Sequence, residues 1–173
     1  MSSVKKGLAL IIANADYQSQ PQLPSCHKDG TDMKAKLEQL NFDVLYYTNT
    51  TRKTILEAIS EFIKLADCYS VLLVYYTGHG VQIDGENYFV PIDCIYHPVK
   101  SVFIASSLVG VNTITQYMNE HEEKTNILIL DACRSSLSFA KEMGNIGLAE
   151  ISAGNGTIIA FATSPNTSAF APQ

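Results

Sequence analysis

Apolar positions along the chain form short β-branched runs separated by segments of helical period, the alternation that builds a parallel sheet with helices on its faces. Gly7 to Ala13 reads as a first strand, followed by a Gln, Pro and Ser-rich stretch, Gln18 to Ser25, that no helix runs through. A helix is expected from about Asp29 to Leu40, with Met33, Leu37 and Leu40 on one face and Lys34, Lys36 and Glu38 on another. Phe42 to Tyr47 is a second strand. Thr51 suits the N-cap of a second helix whose buried stripe is Ile55, Ile59, Phe62, Ile63 and Ala66. Val71 to Tyr76 is apolar throughout, as expected of a central strand buried on both faces.

Beyond Gly78-His79-Gly80, the runs Val81 to Ile83 and Asn87 to Val90 flank Asp84-Gly85, a short hairpin signal. A polar stretch, Pro91 to Lys100, leads to a helix expected from Asn112 to Glu122 and a strand from Asn126 to Leu130. That strand delivers Asp131-Ala132-Cys133-Arg134 at its C-terminal end. Arg134 to Asn155 holds three glycines and no sustained period, so it reads as a loop with a short helix at Ser138 to Met143. Thr157 to Ala162 is a last strand with no helix after it, which leaves one of its faces bare and gives the chain the look of a truncated or cleaved one. The fold class is α/β, a mostly parallel sheet in one domain.

Composition narrows the function classes. A hydrophobic fraction of 46% with 17% charged residues is that of a folded globular protein. A net charge of -5 with 12 Lys and Arg argues against nucleic acid as a partner. No run is apolar enough for a membrane span, and the start, Met1 to Lys6 followed by a short apolar run, makes a poor signal peptide. Cys26, Cys68, Cys94 and Cys133 are widely spaced with no C-x-x-C pair, so neither a disulfide framework nor a metal site is expected, and no cofactor is implied. They read as thiols of a reducing compartment, and the chain is expected to be cytoplasmic. The sequons at Asn49, Asn155 and Asn166 would matter only in a secreted protein.

The chemistry concentrates in two segments, Tyr75 to Gly80 and Leu128 to Arg134, each releasing a reactive group from the end of an apolar strand. Open α/β sheets place their sites there, beyond the strand C-termini. The two glycines beside His79 are expected to let the backbone turn tightly and approach a substrate. A cysteine thiol is mostly protonated at neutral pH, so Cys133 as nucleophile needs a base, and His79 suits that role if the two strands are neighbours. Backbone N–H groups of Cys133 and Gly80 are the expected oxyanion donors.

Gly78-His79-Gly80 with Asp131-Ala132-Cys133-Arg134, and Asn87 to Asp93 after the histidine, resemble the caspase superfamily of cysteine peptidases along nearly the whole chain. The resemblance implies a caspase-like catalytic domain over residues 1–173: the large-subunit region plus the first strand of the small-subunit region, with the C-terminal remainder missing. It is nearest in pattern to paracaspases and bacterial caspase-like proteins. Caspases proper carry Gln where Asp131 stands, whereas paracaspases and metacaspases carry Asp there and a second Asp at the position of Asp29. The resemblance therefore implies an S1 pocket lined by Asp29 and Asp131, and a protein or peptide substrate with basic P1, Arg before Lys. Arg134 and Ser135 after the cysteine depart from the metacaspase pattern, and with it from that family's frequent use of calcium.

Alternatives stay open. Lys28 beside Gly30-Thr31-Asp32 would restore acidic P1 and an Asp-specific caspase if it, and not Asp29, faced the pocket. A weak or inactive interaction module is the second class, because the family pattern continues past Gln173 into a segment that completes S1 and often forms a homodimer. Ala171 stands where paracaspases carry a third acidic residue. A cysteine α/β hydrolase is poorer, since no His and acid pair follows Cys133. Arg134 and Lys141 suit self-processing. Asp29 as a helix N-terminal carboxylate, Asp93 as a turn former, surface roles for His27, His97 and His121, structural roles for Cys26, Cys68 and Cys94, and redox reactivity of Cys94 are the plainer expectations.

Overall fold

The computed structural model describes residues 7–94, 106–133 and 148–162, with Cys133 placed by its backbone. The helix expected at 138–143, together with Arg134, Lys141, His97, Asn166 and Ala171, lies outside them. The elements are β1 (Gly7–Ala13), α1 (Ser25–Gln39), β2 (Phe42–Thr48), α2 (Arg52–Ala66), β3 (Val71–Ile83), β4 (Glu86–Phe89), β5 (Val109–Gly110), α3 (Asn112–Glu120), β6 (Thr125–Cys133) and β7 (Thr157–Phe161). Five of these strands form a parallel sheet in the order β2-β1-β3-β6-β7, and the far half of β3 pairs antiparallel with β4, which pairs with β5.

Strand parity sorts the core into two layers. Leu8, Leu10 and Ile12 of β1 join Leu72, Val74 and Tyr76 of β3 and Leu128 and Leu130 of β6 under α2 and α3. Ala9 and Ile11 join Leu73 and Tyr75 under α1, through Leu37 and Met33. Phe62 of α2 is completely buried, worth roughly 2–3 kcal/mol of transfer free energy. β3, apolar and flanked by β1 and β6, is central as its composition predicts.

Several boundaries moved. α1 starts at Ser25, with Pro24 at its cap holding φ -58, a preset helical value. Asp29 is therefore in the second turn, and the first turn carries no acid. Leu40, expected on the buried face, is 45% exposed because the helix stops at Gln39 and the chain reverses at Asn41, φ 67. Thr51 caps α2 by accepting the Thr54 N–H at 3.2 Å, and Ala58 takes the buried place expected of Ile63, which is half-buried. β3 runs on through Gly78-His79-Gly80 to a turn at Asp84 and Gly85, both with positive φ, as a two-residue hairpin requires. β5, two residues long, has no sequence signal.

The described part of the expected loop is held in place. Asn87 pairs with the backbone of Ala149 in both directions, at 2.9 and 2.7 Å, and Leu148 is buried. β7 does leave one face open: Ile158 is 59% exposed, and Ala160 and Ala162 are exposed beside it. No helix among the described residues is long and apolar enough to cross a membrane.

Candidate active site

The strand order reverses between β1 and β3, since β1 leads out to β2 on one side and β3 lies on its other side. Such a switch point opens a crevice at the strand C-termini. Here the loop after β1, residues 14–24, crosses to the end of β3. Asn14 anchors it: its Oδ1 accepts from the Thr50 N–H at 2.7 Å and the Thr50 hydroxyl at 2.9 Å, and its Nδ2 donates to the Val90 carbonyl at 3.2 Å. Asn49 receives the Ala15 and Asp16 N–H groups on its Oδ1, each at 3.0 Å, and donates to Asp16, so this sequon asparagine works within the loop.

His79 is fully buried in this crevice. Its Nε2 lies 2.8 Å from the Pro21 carbonyl oxygen, which can only accept. Nε2 therefore carries a proton, and in the neutral ring Nδ1 is left as the basic nitrogen. The Tyr17 ring packs against the imidazole at a centroid distance of 4.4 Å. β3 and β6 pair in parallel without a break up to the rung His79↔Cys133, so the two residues occupy neighbouring positions on adjacent strands. Gly80, one step on, pairs with Phe89 of β4.

The glycines also have a reason in packing. A Cβ on Gly78 would stand 2.6 Å from the Tyr17 hydroxyl oxygen and 2.8 Å from that of Tyr76. One on Gly80 would meet the Ala132 Cβ at 2.8 Å. The sheet interior itself demands both, through packing.

Two carboxylates gather on the α1 side. Asp131 is the register partner of Thr77 and accepts a hydrogen bond from the Tyr75 hydroxyl at 3.1 Å. Asp29 is half-buried, and its carboxyl is held above the usual carboxylate range first by burial and then by the negative charge of Asp131, with Lys28 opposing. Tyr75 feels both acids: burial first, then Asp131, keep its phenol well above its ordinary value, so it remains a donor. Lys28 is exposed and paired with Asp32 on the helix surface.

The remaining candidates fall outside the cluster. Asp93 accepts the Arg52 N–H at 3.0 Å and tethers the segment after the hairpin to α2. Cys26 is buried and receives the Thr77 hydroxyl at 3.2 Å, whereas Cys68 is exposed and so has no packing role. Cys94 is buried beside the Ser107 hydroxyl at 3.2 Å, and burial pushes its thiol up, against redox reactivity. His27 pairs with Asp16 at 3.1 Å, and His121 bonds the Tyr117 carbonyl at 2.9 Å. Tyr17, Pro21, Tyr75 and Tyr76 are the residues that sequence reasoning missed. Pro21 contributes a carbonyl, which no side-chain motif records.

A family model described as Caspase domain matches residues 6–173. The human mucosa-associated lymphoid tissue lymphoma translocation protein 1 is 32% identical over 130 residues, 75% of this chain and 15% of that protein. Caspase b of Danio rerio is 28% identical over 138 residues, 78% of this chain and 32% of that one. The chain thus spans a minor part of these relatives. The crystal structure of the Drosophila initiator caspase Dronc superposes with a TM-score of 0.64 over 92% of this chain and 56% of that one, at 14% identity.

Proposed function

The chain belongs to the caspase family, with a paracaspase-like pattern, and we propose that it is a cysteine endopeptidase cleaving after Arg, and less well after Lys. The observation that carries this reading is the rung His79↔Cys133, with Asp131 two residues before Cys133 on β6 and Asp29 of α1 electrostatically coupled to Asp131. The Cys133 sulfur attacks the scissile carbonyl while His79 Nδ1 takes the thiol proton. The imidazolium then gives that proton to the leaving amine, and a thioester remains. His79 next draws a proton from water, whose oxygen attacks the thioester and releases the acid, and the thiol is restored.

The N–H groups of Cys133 and Gly80 are the oxyanion donors in this reading. Because the β3 and β6 ladder still pairs His79 with Cys133, that last rung opens for them to turn toward an oxyanion. Asp29 and Asp131 select P1. Two carboxylates that repel each other are relieved by a guanidinium, which binds them through charge-assisted hydrogen bonds. The pairing of Lys28 with Asp32 on the helix surface favours Asp29 over Lys28 as the residue that faces P1. No metal enters the scheme, and a reducing cytoplasm suits its thiol.

Cleavage of Arg, Lys and Asp fluorogenic peptides, beside Cys133→Ala, tests the reading. Arg turnover that survives Cys133→Ala sinks the mechanism, and preferred cleavage after Asp sinks the specificity. The exposed face of β7 favours a second element of function, docking of a small-subunit-like segment or a second copy. An inactive wild type that still self-associates would point to an interaction module.

A further inference from the structure

The buried tyrosines around His79 have no part in the peptidase scheme above. The β1 and β3 ladder closes with the Asn14 N–H donating to the Thr77 carbonyl at 2.9 Å. Two residues on, the His79 N–H faces the same side, where β1 has already turned away into its loop. A buried N–H without a partner there would cost about 1–3 kcal/mol. The Tyr17 hydroxyl supplies the partner, accepting that N–H at 2.8 Å.

The tyrosine's own proton is then free to go to the Tyr76 oxygen, 3.4 Å away. The Tyr76 hydroxyl in turn donates to the His79 carbonyl at 2.6 Å. A loop of hydrogen bonds thus starts at the N–H of His79 and returns to its C=O, and it occupies the volume that a Gly78 side chain would need. Burial raises both phenols, so neither ionises at neutral pH and the directions of donation persist.

We propose that Tyr17 and Tyr76 are positioning residues for His79: their hydroxyls grip its peptide groups, and the Tyr17 ring packs on its imidazole, so that the Nε2 to Pro21 bond and a single tautomer are maintained. This rests on the peptidase reading, in which Nδ1 has to stand ready for the thiol. Both residues act through His79. Their loss is expected to act on kcat, since misplacing a base by a fraction of an ångström weakens proton transfer and leaves P1 binding alone.

The test uses the full chain with Tyr17→Phe, Tyr76→Phe, the double variant, and Tyr117→Phe as a control. Tyr117 is on α3, and its hydroxyl has no hydrogen-bond partner among the described residues. Each of the first two is expected to lower kcat about tenfold with KM within about twofold. The double variant should fall little further than either, because one hydrogen-bonded loop is broken in every case. In the same samples, imidazole 15N shifts should show one Nε2–H tautomer in the wild type and a mixture in the variants. Unchanged kcat and an unchanged tautomer would overturn the proposal, as would a loss of folding in both single variants. A wild type that cleaves nothing would defeat the peptidase reading, while the ring spectra still decide the tyrosine role.

Discussion

The two sides of the crevice are built on opposite electrostatic principles. Around His79 the described contacts are neutral and already made: a carbonyl on Nε2, a phenol on the N–H, and a phenol with the Val90 N–H on the C=O. Around Asp29 and Asp131 the structure leaves two like charges half-buried, with the Tyr75 phenol donating to Asp131 and Lys28 paired outward with Asp32. The first arrangement holds a geometry that does not depend on a ligand. The second is unfavourable alone and becomes favourable when a cation enters. A catalytic base needs constancy, and a specificity pocket needs a deficit that only the right side chain relieves.

Substitutions can break each side separately. The largest effect is expected from His79→Ala or Cys133→Ala, either of which should lower kcat by about a thousandfold or more, with thermal unfolding followed alongside to exclude collapse of the buried site. Next comes Asp131→Asn, which should reduce kcat/KM for Arg peptides by about 10 to 100-fold, mainly through KM. An equal loss for uncharged P1 residues would show that the carboxylates do not select. Tyr75→Phe removes one donor from the Asp131 carboxylate and should raise KM for Arg peptides by about threefold to tenfold at unchanged kcat.

The smallest effect lies in pH dependence. Asp29 has a folded pKa raised above its unfolded value, so the folded chain binds more protons in the window between the two, and stability falls as pH rises through that window. Asp29→Asn should therefore raise Tm slightly at neutral pH, with the gain vanishing in acid. In Asp131→Asn the negative neighbour is gone, and the Asp29 titration, followed by carboxyl NMR, should move down toward the ordinary range. A Tm gain that persists at low pH would assign the effect to packing.

Much of this is legible in the sequence. β1 is delimited because an apolar run breaks at Asn14, and Thr51 is a cap because it precedes a periodic stripe. Asp84-Gly85 signalled its own hairpin. These signals are local, carried within a few residues by sterics and backbone hydrogen bonding. The end of β3 was less legible: Gly78-His79-Gly80 has the composition of a loop, and only pairing with β6 and then β4 keeps it extended.

The sequence by itself determined the α/β alternation, most of the buried stripe of α2, and which two segments carry reactive groups at strand ends. Only the tertiary structure decided that His79 and Cys133, 54 residues apart, share a rung, that Asp29 comes near Asp131, and that Tyr17 reaches the His79 N–H across 62 positions. The reason is physical. Periodicity reports what each segment buries, whereas strand order, register and the path of the loop after β1 follow from how all segments pack at once, and the contacts that position the histidine and the two carboxylates are made by that packing.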